Sequence, residues 1–206
     1  GYYFVIGEYF DVSVTGDIYS LGSWNAMLTA RYRKRYKFNG DFYVNYSNNQ
    51  TGERGSTAFF QSKDFSIRWS HAQDSKSMPG ASFRASVNFS TPLNNRFNSM
   101  DVQQSLQNQV SSSISYSKTF ADSPFSLSVN MLHSQNSLDS SYALTVPNFT
   151  LTMNRIYPFK SKERVGKERF YESISLSYNT TLDNKVNFKL KDFSSPDFLS
   201  KFRSGM

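Results

Sequence analysis

The sequence predicts an all-β protein: about nine antiparallel, up-and-down strands of a transmembrane β-barrel, forming part of a barrel. Three observations predict it. Apolar and polar residues alternate with a period of two along most of the chain, which puts them on opposite faces of a strand. Aromatic residues make up 17% of the 206 residues although hydrophobic residues reach only 38%. That fits neither a disordered chain, which is poor in aromatics, nor a soluble domain, which is ~45–50% apolar. The alternating runs are about 8–12 residues long, enough to cross a bilayer at a tilt and longer than the ~5–6 residues of soluble strands.

The elements follow in order. Phe10, Val12, Val14, Gly16 and Ile18 alternate with Asp11, Ser13, Thr15, Asp17 and Tyr19. Trp24, Ala26, Leu28, Ala30 and Tyr32 alternate with Asn25, Met27, Thr29, Arg31 and Arg33. Phe42, Val44 and Tyr46 mark a third strand, and Phe65, Ile67, Trp69 and His71 a fourth. Phe83, Ala85, Val87 and Phe89 oppose Arg84, Ser86 and Asn88. Val110, Ile114 and Tyr116 oppose a ladder of Ser111, Ser113, Ser115 and Ser117. Phe125, Leu127, Val129 and Met131 make the seventh. Leu144 and Val146 begin an eighth, which Pro147 offsets into Phe149, Leu151 and Met153, and Ile174, Leu176 and Tyr178 make the last. A short helix is expected from Ser195 to Arg203, with Ser195 as N-cap and Pro196 at its first position.

The connectors alternate in length. Residues 33–37 and 121–124 are tight turns, whereas 48–62 and 90–109 are long. Bacterial barrels keep short turns on the periplasmic side and long loops outside. The first strand therefore runs outward, and the long basic stretch at 155–169 is a periplasmic exception.

Alternation alone does not separate a soluble sandwich from a membrane barrel. The polar face decides it: it is mostly Ser, Thr and Asn, where soluble strands expose Lys and Glu. Aromatics also gather at strand ends (Tyr9, Tyr19, Trp24, Tyr32, Phe120, Phe125, Tyr178), where membrane girdles lie. Nine strands leave open edges, and unpaired backbone in lipid costs several kcal/mol per group. Further strands are thus expected from the same polypeptide, with residues 1–206 as the N-terminal portion of the barrel.

Other chemistry has little support. The absence of cysteine removes disulfides, thiol nucleophiles and Cys-type zinc sites. The net charge of +7 is scattered, apart from clusters at Arg31–Lys37 and Lys160–Lys167 where turns fall, so a solvated turn is preferred to nucleic-acid binding. His71 and His133 sit at strand ends with no carboxylate at ligand spacing, so no metal or cofactor is expected. Asp11 and Asp17 are six residues apart, about 20 Å along a strand, and do not form a catalytic pair.

Several stretches together resemble the LptD family of lipopolysaccharide-assembly proteins, once called organic solvent tolerance proteins. They are Tyr2-Tyr3-Phe4-Val5-Ile6-Gly7-Glu8-Tyr9-Phe10-Asp11, Gly16-Asp17-Ile18-Tyr19 and Gly22-Ser23-Trp24. The runs Arg33-Lys34-Arg35-Tyr36-Lys37, Lys63 to His71 and Asn154 to Phe159 resemble the Bacteroidetes branch. The resemblance implies a non-enzymatic outer-membrane translocon of a Gram-negative cell, with a jellyroll domain before the barrel. It implies partners: lipopolysaccharide, an LptE-like plug lipoprotein, periplasmic Lpt bridge components and outer-membrane lipid. It also implies a lateral gate next to the first strand, formed by residues 9–19 with Tyr9, Asp11, Ser13, Thr15, Asp17 and Tyr19 facing the lumen. No proline lies between Phe10 and Tyr32, so Gly16 is the expected weak point of that strand. Arg31, Arg33, Arg68 and Arg84 are the candidate phosphate or lipid contacts. The rival readings are a general porin and a barrel phospholipase, the latter requiring a His–Ser pair facing lipid, for which neither histidine gives support.

Overall fold

In the computed structural model, residues 1–53, 55–91, 109–137, 139–160 and 169–189 are described. They form one antiparallel sheet of ten strands in sequence order. The strands are β1 (Tyr2–Ile6), β2 (Phe10–Ile18), β3 (Trp24–Lys34), β4 (Phe38–Thr51) and β5 (Phe60–Gln73). They continue as β6 (Ala81–Ser90), β7 (Gln109–Thr119), β8 (Phe125–Asn136), β9 (Ser141–Ile156) and β10 (Leu176–Lys189). The helix expected at 195–203 lies outside the described residues.

Ten strands replace the expected nine. The additional one, β1, reads Tyr-Tyr-Phe-Val-Ile, and a fully apolar run carries no period-two signal. It pairs with β2 from Tyr2↔Val14 to Ile6↔Phe10, so it is the outermost described strand at that edge and β2 is the second. The expected long connector 48–62 is shorter, because the β4–β5 ladder runs on to Thr51↔Phe60 and leaves only residues 52–59 as loop. A side-chain bond from Gln61 Nε2 to Asn48 Oδ1, at 2.8 Å, supports this polar extension. At the last strand, Phe170–Ser173 is a 3-10 turn and β10 begins at Leu176 and runs to Lys189.

Register carries each apolar position onto its neighbour. The row Phe10–Tyr32–Gly40–His71–Ala85 and the row Val14–Leu28–Val44–Ile67–Phe89 lie on one face. The polar residues between them form the other face, where Ser82 Oγ meets Ser117 Oγ at 2.8 Å and Asn130 Nδ2 donates to Asn148 Oδ1 at 3.1 Å. Pro147 does shift the frame. β9 carries one residue more than β8 between Asn130↔Asn148 and Leu132↔Thr145, so Leu144 and Phe149 share a face despite an odd separation.

The apolar face is bounded by two aromatic rows. One holds Phe10, Tyr32, Phe38, Trp69, His71 and Phe83, in a chain of ring contacts with centroids 5.3–6.0 Å apart. The other holds Trp24 against Tyr46 at 5.4 Å, Phe65 against Phe89 at 5.7 Å, and the run Phe89–His133–Tyr142–Phe188. The rows lie where the aromatic girdles of a membrane barrel would, and both histidines belong to them. Gly40 lets the first row close. A Cβ there would fall on Oη and Cζ of Tyr32 and on the Ser70 carbonyl oxygen. With no Cβ, the Tyr32 ring crosses β4 and its hydroxyl meets His71 Nδ1 at 2.8 Å and accepts from Trp69 Nε1 at 2.9 Å.

Candidate functional site

The polar face holds a pocket of about 650 Å³ at the edge of the sheet. It is built from β1 to β5: Val5, Glu8 and Asp11 on one side, Arg31 and Arg33 from β3, Asp41 and Tyr43 from β4, and Arg68 from β5. Pairing explains the convergence. Asp11 is the register partner of Arg31, and Arg31 is the partner of Asp41 on the far side. Each strand turns every second residue to this face, so three guanidinium groups and three carboxylates share one surface.

The charges are held differently. Arg68 lies over the ring of its cross-strand partner Tyr43, 4.6 Å from the centroid. That orients the guanidinium without neutralising it. Asp41 instead accepts a short hydrogen bond from Ser70 Oγ. Arg31, Arg33, Asp41 and Arg68 are all exposed. Together with the carboxylates, such a surface can bind phosphate oxygens through the arginines and sugar hydroxyls through the acids.

The expected residues distribute as follows. Arg31, Arg33, Arg68, Tyr9 and Asp11 border this pocket. Arg84 borders an adjoining pocket of about 380 Å³ that shares Asn39 and opens on Ser86, Ser113 and Ser115. Ser13, Thr15 and Asp17 continue the same face of β2, opposite Thr29, Met27 and Asn25. Tyr9 lies in the turn before β2, where its carbonyl accepts from Arg33 N at 2.9 Å and its ring lies under Lys34 Nζ at 4.7 Å. Tyr19 lies in the turn after β2, where its N–H donates to the Ser23 carbonyl at 2.9 Å.

Two features were not read from the sequence. Asp64 is buried, 2% exposed, with its carboxylate accepting from Ser62 Oγ, from Thr91 Oγ1 at 3.0 Å and from Asn49 Nδ2 at 3.5 Å. It ties the residue after β6 to the wall; the paired hydroxyls of Ser62 and Thr91 carry no sequence signal, since they lie 29 residues apart. The second is a serine–histidine pair on the apolar face. Ser112 is the register partner of His133, with Oγ 3.3 Å from Nδ1. This is a His–Ser pair of the kind the phospholipase reading requires, and no sequence signal pointed to it. It is not armed for hydrolysis, however. The Ser112 hydroxyl donates to the Asn88 carbonyl at 2.7 Å and accepts from Asn88 N at 2.9 Å, standing in for a backbone partner where the β6–β7 ladder ends at Ser86↔Ser113. An attacking serine must give its proton to the imidazole.

Among the described residues no group of three or more His, Cys, Asp and Glu side chains is placed to hold a metal. No helix is long and apolar enough to cross a membrane, which says nothing of strands. In comparisons with known proteins, a family model described as LptD protein matches residues 1–206. Neither the curated proteins nor the solved structures returned a match.

Proposed function

This chain belongs to the LptD family, and on that premise we propose that it forms the first part of a translocon that inserts lipopolysaccharide into the outer leaflet through a lateral gate. The family's work is transport and assembly of lipopolysaccharide at the outer membrane, and it is not known for catalysis.

In this reading the apolar face meets lipid, the polar face lines the lumen, and the β1–β2 edge is one lip of the gate. Later strands of the same polypeptide supply the other lip. The lumen-facing positions beside the lip are Tyr9, Asp11, Ser13, Thr15, Asp17 and Tyr19. Arg31, Arg33 and Arg68, with Arg84 next along the wall, receive the phosphorylated sugar portion while the acyl chains leave through the edge. An LptE-like plug in the lumen and a periplasmic bridge at the short-turn end complete the path.

One observation carries the reading: a mixed arginine and carboxylate pocket lies on the polar face directly behind the outermost described strand at the β1 edge, in a chain whose residues 1–206 match this family. The test is in the native cell. A photo-crosslinking residue at Ser13 or Thr29 should trap lipopolysaccharide, and one at Leu28 on the apolar face should trap far less. Normal surface lipopolysaccharide after depletion of the protein would overturn the proposal, and would leave a passive porin as the better reading.

A further inference from the structure

The basic hairpin between β3 and β4 exposes Arg35, Tyr36 and Lys37, as a solvated turn does, and also borders a pocket. Its residues Arg33, Lys34, Arg35, Tyr36 and Phe38, with Asp74 from the next turn, enclose a pocket of about 470 Å³. Three cations line it against one carboxylate, and Asp74 Oδ1 already accepts the Lys76 amide at 2.9 Å.

The cations around this turn rest on rings. Lys34 Nζ lies 4.7 Å from the Tyr9 centroid, Arg35 lies 4.9 Å from that of Tyr36, and Lys76 lies 5.2 Å from the same ring. Tyr36 is held between two cations by a backbone at φ 61°, a left-handed conformation that disfavours tyrosine. Among the described residues no carboxylate forms an ion pair with Lys34, Arg35 or Lys76. A ring positions a cation but leaves its charge to be met by something else.

The location identifies that something. Phe38 packs on Tyr32 and His71 of the aromatic girdle, with centroids 6.0 Å apart in each case. Lys34 is one row beyond Tyr32 on the same face, about 7 Å further out along the strand. The cations therefore stand at headgroup depth, directly above a lipid-facing aromatic floor. A free phosphate would have no use for that floor, whereas acyl chains would.

We propose that the 33–37 hairpin with Lys76 is a binding site for an anionic phospholipid of the leaflet at the short-turn end, its phosphodiester in the pocket and its chains along Phe38, His71 and Phe83. The pocket adjoins the lumen pocket at the end of the hairpin, sharing Arg33 and Asn39 with it, while Lys34 and Phe38 belong to the apolar face. The site rests on the reading of that face as lipid-facing, and Arg33, which both pockets use, is left out of its test.

The experiment uses the full-length protein in micelles containing equal phosphatidylglycerol and phosphatidylethanolamine, with diphosphoryl lipid A as a third arm, and retained lipid read by native mass spectrometry. Wild type should retain phosphatidylglycerol over phosphatidylethanolamine. Each of Lys34→Gln, Arg35→Gln and Lys76→Gln should lower that preference by roughly fivefold. Tyr36→Asn, which tolerates the left-handed turn, should lower it while the heat-modified gel mobility of the folded barrel stays unchanged. Equal retention of the two phospholipids, or a preference untouched by the single variants, would overturn the site. Lipid A displacing phosphatidylglycerol in wild type but not in Lys76→Gln would overturn the choice of ligand.

Discussion

Replacing Gly40 by alanine tests the account of the lower girdle. The new Cβ would collide with Tyr32 Oη and Cζ and with the Ser70 carbonyl oxygen. The last is backbone within the β4–β5 ladder and does not swing away. Tyr32 must leave its place. It then loses its hydrogen bonds to Trp69 and His71, about 1 kcal/mol each. It also loses its ring contacts with Phe10 and Phe38, about 0.5–1.5 kcal/mol each. Alanine returns about 0.5–1 kcal/mol through the lower entropy of its unfolded chain. The net cost is about 2–4 kcal/mol. Urea unfolding of the full-length protein in micelles, followed by tryptophan fluorescence, measures it. In a Tyr32→Ala background two of the three collisions vanish, so the two substitutions should couple by about 1–2 kcal/mol. A Gly40→Ala change within about 0.5 kcal/mol of wild type, or strict additivity with Tyr32→Ala, would refute the reasoning.

Other outcomes follow from the same structure. Joint replacement of Arg31 and Arg68 by alanine should lower the lipopolysaccharide photo-adduct at Ser13 by about thirtyfold, taking about 1 kcal/mol per lost charge-assisted contact; equal adduct yields would place the lipid path elsewhere. Asp64→Ala leaves the hydroxyls of Ser62 and Thr91 without their acceptor and should cost about 2–3 kcal/mol in the same unfolding assay, more than Asp64→Asn, which keeps one oxygen. In the β8–β9 turn, the Ser141 hydroxyl, 2.7 Å away, holds the Asp139 carboxyl below the usual carboxylate range. A depressed pKa stabilises the turn at pH above the unfolded value of about 3.8, and that stability is lost as pH falls through the folded value. Hydrogen exchange at the Ser141 amide should therefore quicken as pH falls below that range, after correction for intrinsic rates, and Asp139→Asn should abolish the dependence.

Alternation made most of the sheet legible. Wherever one face is greasy and the other wet, register follows from pattern, and the Ser and Asn ladders of β7 and β8 left no choice of face. The frame shift at Pro147 was legible for the same reason, since proline breaks a ladder and the apolar set changes parity across it. β1 was silent because Tyr3 and Val5 put apolar side chains on the polar face as well. The later half of β10 was missed because Thr180, Thr181, Asp183 and Lys185 dilute its outward Leu182, Val186 and Phe188. The arginines were legible one at a time, but their meeting was not. Arg31 and Arg68 are 37 residues apart in sequence, and only the pairing of β3 with β4 and β4 with β5 brings them onto one pocket. The Ser112–His133 pair was hidden in the same way, because a serine in a run of serines announces no partner.

The two aromatic rows also act as a ruler. Trp24 and Tyr32 are eight residues apart on β3, about 26 Å along the strand and about 20 Å across the membrane at a 40° tilt. An average hydrocarbon core is ~30 Å thick, and the bacterial outer membrane is thinner. With both rows at the interfaces and that tilt, the bilayer beside this wall would be compressed, at fractions of a kcal/mol for each ångström of mismatch. Compression would be felt beside β2 and β3, next to the β1 edge of the sheet. In the proposed gate, a lipid leaving by that edge would enter a locally thinned membrane, with less hydrocarbon to part on its way into the leaflet.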